Sequence, residues 1–386
     1  MFERKVFFPF VLITLATMFL NISLQMSLPS FSLFLKYLNF PIENIGMVSL
    51  SVALAGMFFR PVSAYLNHKI GPVSTALIGA LLYLIAFTIL SFSESIVLVV
   101  GARVLQGIGM GIGITVLGSM IAQIVPHDEL LKGMNIYSLF ASSANSIGPY
   151  IGMFLVIGNS FSRLFIAGFI FVALGILTLA VLKIKADVVI APVEMSEKVK
   201  SSLFKSPAFI PALVGLLTAL VYSSIVSYLS LYALEMGLNN IGFFFLLNFV
   251  GLVLSRFALQ PLVVRFSLRQ LLLLMGSFYA IVLISLTVFH SVFAWSILAI
   301  AFGFVFNIVF TLINTLAMKN VSIQDKAIAN AMLFFLLDFG FFSGGILWGQ
   351  VAKYFSLSHV FIFAGIIIFL DLAIGGYVFE RNQIEF

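Results

Sequence analysis

Two charged side chains lie deep within long apolar runs of the sequence. Arg103 belongs to the run 96–123, and Asp338 lies near the middle of the run 327–352. An ionised side chain surrounded by hydrocarbon is costly, so such residues generally face a cavity and have a partner. A carboxyl group kept away from water is favoured in its neutral form and can carry a proton. We therefore predict proton coupling through Arg103 and Asp338; the alternatives are helix-to-helix hydrogen bonding for Arg103 and static ion pairing for Asp338.

Uncharged polar side chains recur at helical spacing in the apolar runs. Asn21 and Gln25, for example, are four residues apart and share a helix face. These groups could hydrogen-bond a small molecule, and the alternative is hydrogen bonding between helices, which is ordinary in membranes. The predicted contacts to a small-molecule substrate are Asn21, Gln25, Gln106, Asn145, Tyr222, Ser224, Tyr228, Asn307 and Asn314. A further acidic residue, Asp371, is interpreted as structural.

Other kinds of chemistry find little support in the sequence. There is no cysteine, the four histidines are not spaced as metal ligands, and no Gly-x-x-x-x-Gly-Lys phosphate loop occurs. No nucleophile–base pair forms a catalytic pattern. We expect no enzyme activity, no bound metal and no cofactor.

The elements that must position these residues follow from composition. Of the 386 residues, 62% are hydrophobic and 9% are charged, whereas about a quarter of a soluble domain is charged. This excludes a soluble enzyme and a disordered chain. A membrane-spanning helix needs about 20 mostly apolar residues. Twelve segments meet that requirement: 8–35, 44–66, 72–92, 96–123, 134–157, 163–183, 207–233, 241–264, 271–289, 292–318, 327–352 and 360–379.

Lysine and arginine are distributed unevenly over the predicted loops. With the amino terminus inside, fourteen of them lie in inner segments and three in outer segments, which places both termini in the cytoplasm. The formal net charge of +6 is therefore mainly an orientation signal and not a nucleic-acid footprint. The longest polar stretch, 184–206, is predicted to be a cytoplasmic linker between six-helix bundles at 1–183 and 207–386.

The two halves resemble repeats of one another. At an offset of 196 residues the matched pairs are Arg60 with Arg256, Gly107 with Gly303, Thr115 with Thr311 and Gly148 with Gly344. Parallel repeats are a known device of secondary transporters, in which the substrate site lies near the bilayer midplane. Arg60 and Arg256 lie towards the cytoplasmic ends of their spans, where they either contact a gate or anchor the helix by snorkelling.

Two motifs make a family resemblance specific. The pattern R-x-x-Q-G is formed by Arg103, Gln106 and Gly107, and the pattern G-P-x-x-G by Gly148, Pro149 and Gly152. In these motifs the chain resembles the major facilitator superfamily and, within it, the twelve-span drug:proton antiporters. The resemblance implies an all-α polytopic membrane protein with 12 transmembrane helices in two pseudo-symmetric six-helix bundles. The second motif implies export, with its residues shaping the conformational change.

One family motif is altered in this chain. The loop after the second span usually reads G-x-x-x-D-R/K-x-G-R/K-R/K, but Ala64 replaces its first glycine and His68 its aspartate. The trailing basic pair is also missing, so the chain departs from the charge-based cytoplasmic gate of the family. Arg60, His68 and Arg256 are the candidate residues of that gate.

Taken together, these features predict a secondary active transporter in the plasma (inner) membrane. We expect a monomer that exports a small amphiphilic molecule, a drug or an endogenous metabolite, in exchange for protons by alternating access. Its partners would be the substrate, protons and the lipid bilayer, with no nucleic acid. The alternatives are an importer or uniporter of a small metabolite and an exporter of an anionic metal-chelating metabolite. A membrane-embedded enzyme or a lipid scramblase is less compatible with the pattern.

Overall fold

The computed structural model describes residues 4–126, 129–156, 161–185, 208–238, 241–319, 321 and 326–381, and over these residues the chain is helical and has no strand. The helices are, in chain order, α1 (Arg4–Tyr37), α2 (Ile42–Ile70), α3 (Pro72–Phe92), α4 (Ile96–Gly109), α5 (Thr115–Ile124), α6 (Leu130–Leu155), α7 (Phe161–Lys185), α8 (Phe209–Glu235), α9 (Gly242–Arg265), α10 (Leu268–Val288), α11 (Val292–Lys319), α12 (Lys326–Tyr354) and α13 (Leu357–Arg381). A π-helical turn, Met110–Ile114, joins α4 to α5 without a break.

The expected multi-pass organisation is confirmed. Within the described residues, eleven helical segments are long and apolar enough to cross a membrane, and Ile96–Ile124 counts as one of them. The predicted fifth span, 134–157, lies largely in α6, which carries several serines and asparagines and is not among the eleven. A total of twelve spans stays a prediction.

Helix boundaries follow local sequence signals. α3 begins at Pro72, directly after Gly71, which adopts a φ of 83°; proline suits the first helical position because its missing N–H would have no helical acceptor there. α10 begins after Ser267, whose hydroxyl accepts a hydrogen bond from the Gln270 N–H while the Gln270 side chain accepts one from the Ser267 N–H. This reciprocal capping satisfies two N–H groups at the helix start. Helices suit these apolar segments because each satisfies its own backbone groups within the membrane.

The chain divides into two compact units. Unit 1 comprises Met1–Leu38 and Ser51–Ser196, and unit 2 comprises Asn39–Leu50 and Glu197–Phe386. In unit 1, α1 packs against α6 and α7, and α3 packs against α4 and α7. In unit 2, α8 packs against α12 and α13, α9 against α11, and α10 against α13. The predicted domain limits stay a prediction, and most of the predicted linker, 186–206, lies outside the described residues.

Glycine brings helices into backbone contact in both units. In unit 1, a methyl group on Gly107 would collide with the backbone of Val52, and in unit 2 one on Gly303 would collide with the backbone of Asn248. The two glycines are 196 residues apart, and so are their two partners. The same close approach between helices therefore occurs at the same place in each half of the sequence, as the repeat predicts.

The π-helical turn lies where glycines are most concentrated. A methyl group on Gly79 of α3 would collide with the backbone of Gly109 and Gly113, and one on Gly111 would collide with that of Gly56 of α2. Small residues at these positions let helices approach closely enough for backbone packing, which replaces side-chain interdigitation in membranes. The turn directly follows the helix that carries Arg103.

Candidate functional site

Arg103 is enclosed within unit 1. Its side chain is fully buried, and its Nη1 donates hydrogen bonds to the Ser27 hydroxyl at 3.1 Å and to the Gln106 carbonyl oxygen Oε1 at 2.8 Å. The Phe31 ring lies beneath the guanidinium, 4.5 Å from its carbon to the ring centroid. Two neutral oxygens and a π face thus contact the guanidinium group, and contacts of both kinds stabilise a buried cation.

Gln106 has a structural task in this arrangement. It lies one helical turn after Arg103 and is fully buried, and its Oε1 accepts a hydrogen bond from the guanidinium group. Its Nε2 and the hydroxyl of the buried Tyr83 make no hydrogen bond to any described residue. Such buried donors are costly when unsatisfied. The polar site around Arg103 therefore has two donors, the Gln106 Nε2 and the Tyr83 hydroxyl, for a further hydrogen-bond acceptor.

Gln25 and Asn145 meet in unit 1, although they are far apart in sequence. The Gln25 Nε2 donates to the Asn145 Oδ1 at 2.7 Å, and Asn145 remains exposed while Gln25 is half-buried. Asn21, one turn before Gln25, instead donates to the Thr17 carbonyl of its own helix at 2.9 Å. Gln25, unlike Asn21, is therefore joined to another predicted substrate contact.

The G-P-x-x-G motif of α6 packs against α1 beside the Gln25–Asn145 pair. A methyl group on Gly148 would fall on the Cβ of Gln25, and one on Gly152 would collide with the carbonyl of Met26. Pro149 between them is buried, as both glycines are. α6 therefore lies directly against the backbone of α1.

Unit 2 contains an aromatic cluster formed by Tyr222, Phe302, Phe306 and Phe341. The Tyr222 ring stacks on Phe306 with centroids 4.2 Å apart and planes 15° apart, and the centroids of Phe302 and Phe341 lie 6.1 Å and 5.7 Å from it. Tyr222 is a predicted substrate contact, whereas none of the phenylalanines is. The available signal was the four-residue spacing of Phe302, Phe306 and Phe310 along one face of α11.

The other polar candidates of unit 2 mostly bond within their own helices. Asn307 donates to the Gly303 carbonyl at 2.7 Å, and Asn314 donates to the Phe310 carbonyl at 2.8 Å. Ser224 is fully buried and donates to the Val221 carbonyl. Asp338 is half-buried on α12, three residues before Phe341, so it lies on the same helix face as that member of the aromatic cluster.

Tyr228 connects segments of unit 2 that are far apart in sequence. Its buried hydroxyl accepts a hydrogen bond from the Gly46 N–H at 3.1 Å and donates to the Gly345 carbonyl at 3.2 Å. Nearby in the same unit, Lys353 pairs with Glu43 at 3.0 Å. Tyr228 thus joins three segments of chain, a role that the sequence did not reveal.

The predicted gate residues occupy the later turns of α2 and α9. His68 and Arg256 are exposed, and Arg60 is half-buried. Their gate role stays a prediction.

Comparisons with known proteins agree with this architecture. The chain is 25% identical over 227 residues to the Staphylopine export protein of Staphylococcus aureus (strain Mu50 / ATCC 700699), a match that covers 56% of each protein. This chain therefore spans about half the length of that relative. It is 22% identical to the Putative multidrug resistance protein MdtD of Yersinia enterocolitica, with 94% of this chain and 95% of that protein covered.

A solved structure shares the fold. The bacterial homologue of the human lysosomal transporter Spinster superposes with a TM-score of 0.79 at 12% sequence identity, covering 100% of this chain and 99% of the other. At that identity the likeness shows the fold alone. The sequence profile of the Major Facilitator Superfamily matches residues 13–345. The chain belongs to the major facilitator superfamily, and its relatives include efflux transporters.

Proposed function

We propose that this chain exports a small amphiphilic molecule in exchange for protons. The observation that carries the proposal is the fully buried Arg103, held by Ser27 and Gln106 within a membrane-spanning helix. A cation in such a place is rarely kept for stability alone. Drug and metabolite exporters among the relatives support the direction of transport.

Proton coupling is assigned to Asp338 and Arg103. In this scheme a proton from outside neutralises Asp338 and permits the change to the inward-open state. Release of that proton inside, together with substrate binding that involves Arg103, permits the return. Asp338 suits this role because it is half-buried in a spanning helix, where the neutral and charged forms of a carboxyl group differ strongly in free energy.

The proposed substrate class follows from the side chains available in each unit. The stacked rings of Tyr222 and Phe306 in unit 2 offer an apolar π face, and the Gln25–Asn145 pair in unit 1 offers amide hydrogen bonds. Ligand sites combine a mostly apolar lining with a few oriented polar groups. An amphiphilic molecule matches both kinds of contact.

A second candidate is an anionic metabolite. Similarity to the Staphylopine export protein favours it, and a buried guanidinium such as Arg103 is suited to bind a carboxylate. Because the match covers 56% of each protein, that substrate is kept as an alternative to be tested beside amphiphilic cations.

The proposed setting is the plasma membrane, with a monomer and both termini in the cytoplasm. The uneven distribution of lysine and arginine supports the orientation. Because the natural chain has no cysteine, single cysteines introduced near either terminus would be labelled by an impermeant maleimide only in opened cells if the orientation is right.

Substrate-driven proton movement tests the function. The protein in proteoliposomes that contain a pH-sensitive dye would be challenged with cationic amphiphiles and with anionic metabolites. We expect proton flux with one class, loss of that flux in Asp338→Asn and Arg103→Ala, and retention in the matched control Glu43→Gln. Asp338→Asn with undiminished proton-driven transport would remove the coupling assignment. Equilibration of labelled substrate without any proton flux would make the chain a uniporter.

A further inference from the structure

Asp371 is a buried acid that the proposed mechanism does not use. It lies near the middle of α13 and is 5% exposed. Among the side chains that the structure describes, no other acidic one is as deeply buried. An ionised carboxylate at this depth would be surrounded by hydrocarbon-like material and would be strongly disfavoured without a partner. The surroundings of Asp371 therefore decide whether its carboxyl group is ionised or neutral.

The hydrogen bonding of Asp371 is sparse. The Thr218 hydroxyl of α8, itself 1% exposed, donates to the Asp371 Oδ2 at 3.3 Å. Within the part of the chain that the structure describes, Asp371 makes no other side-chain hydrogen bond and no ion pair. One neutral donor at that distance does not replace the hydration of a full negative charge.

Apolar packing contacts lie next to Asp371 along α13. Next to Asp371 along α13, Leu372 packs on Gly276 of α10, and one turn later Gly375 packs on Val214 of α8. The residue after Asp371 and the residue one turn later therefore pack against neighbouring helices through carbon atoms.

Among the side chains that the structure describes, the helices packed against α13 supply no countercharge to Asp371. The titratable or charged residues on α8, α10, α12 and α13 are Tyr222, Tyr228, Tyr232, Glu235, Arg269, Tyr279, Lys326, Asp338, Lys353, Tyr354, His359, Tyr377, Glu380 and Arg381. Leaving aside Lys326, whose side chain is not among those described, none of them forms a hydrogen bond or an ion pair with Asp371. Arg269, the cation that α10 carries, bonds Glu380 at 2.7 Å instead.

The oxygen count distinguishes a proton from a metal ion. Asp371 and Thr218 supply three side-chain oxygens between them, and the surrounding backbone carbonyls belong to continuous helices. Hard cations take six or more oxygen ligands in most protein sites. A proton needs one.

We propose that Asp371 and Thr218 form a proton-binding site in which the carboxyl group is neutral while α8 and α13 are packed together. The site is separate from Asp338 and does not rest on the proposed transport function. The neutral acid also explains how α13 places an aspartate mid-membrane with a single hydroxyl as its hydrogen-bonding partner.

Infrared spectroscopy of the intact protein in nanodiscs tests this proposal without any substrate. A neutral carboxyl group has a C=O stretch at higher frequency than the amide band, and the stretch moves to lower frequency in D₂O. We expect this band at neutral pH in the natural chain and in Asp338→Asn, which removes any contribution from Asp338, and we expect its loss in Asp371→Asn. An unchanged spectrum in Asp371→Asn would overturn the proposal.

Thr218 variants provide a second arm that leaves the acid in place. Thr218→Val keeps the shape but removes the hydroxyl, so the Asp371 band should rise in frequency, whereas Thr218→Ser should leave it near its original position. If neither variant moves a band that Asp371→Asn removes, the carboxyl group is neutral but Thr218 is not its partner, and the site as proposed is wrong. If Asp371→Asn does not fold, the Thr218 pair decides the outcome alone.

Discussion

The contact between α6 and α1 allows a quantitative test of backbone packing. A methyl group on Gly152 would collide with the Met26 carbonyl, and backbone cannot move aside as a flexible side chain can. Gly152→Ala must therefore push the two helices apart, and overpacking of this kind costs about 1–3 kcal/mol. We expect this cost to lower the free energy of unfolding.

A matched control is available in the same unit. A methyl group on Gly101 of α4 would meet nothing within 4 Å. Gly101→Ala should therefore stabilise the protein by about 0.5–1 kcal/mol, because alanine loses less backbone entropy than glycine on entering a helix. Gly152→Ala gains the same entropy term, so the two changes should differ by the overpacking cost alone, about 1–3 kcal/mol.

Unfolding in mixed micelles with increasing sodium dodecyl sulfate provides the assay. Circular dichroism should be the probe, because both tryptophans, Trp295 and Trp348, lie in unit 2 and would not report on unit 1. Equal midpoints for Gly152→Ala and Gly101→Ala would refute the reasoning, since the substitutions are chemically identical and differ only in the space around them.

Three further predictions concern single contacts. Arg103→Lys should reduce substrate-driven proton flux about tenfold or more, because the compact ammonium group does not reproduce the planar guanidinium that lies over Phe31 and bonds Ser27 and Gln106, and one charge-assisted hydrogen bond is worth about 1.5–3 kcal/mol; an unchanged flux would contradict this. Tyr228→Phe should destabilise unit 2 by about 1–3 kcal/mol, because it removes the hydroxyl that joins two backbone groups; tryptophan fluorescence in the same titration measures it, and an unshifted midpoint would argue against the bridge. Glu43→Gln should lower the stability only slightly, and less in high salt, because its pair with Lys353 is exposed to solvent screening; a larger loss than that of Tyr228→Phe would show that the ion pair matters more than its exposure suggests.

The helices themselves could be predicted closely from the sequence. Long apolar runs locate them, and the predicted segment 72–92 has the bounds of α3. The start of α10 differs from the predicted 271, since the helix begins at Leu268. The Ser267–Gln270 capping signal was present in the sequence and marks the earlier start.

The pairing of side chains could not be predicted in the same way. Gln25 bonds to Asn145, 120 residues away, and Tyr228 to Gly46, 182 residues away. Such contacts depend on the rotation and depth of each helix, which apolar periodicity leaves open. The R-x-x-Q-G motif indicated that Arg103 and Gln106 matter, but it did not indicate that Gln106 is bonded to Arg103.

The π-helical turn at Met110–Ile114 marks a place where evolution can change the length of a membrane-spanning helix. Elsewhere in such a helix, one added or lost residue rotates every later side chain by about 100°, since 3.6 residues complete a turn. A π-helical turn absorbs one extra residue locally, so the helix faces on either side keep their mutual orientation. Related chains with a regular helix here should align with this one through a single-residue gap between Gly109 and Thr115, and deletion of one residue from the turn should leave Thr115 and the rest of α5 facing as they do now.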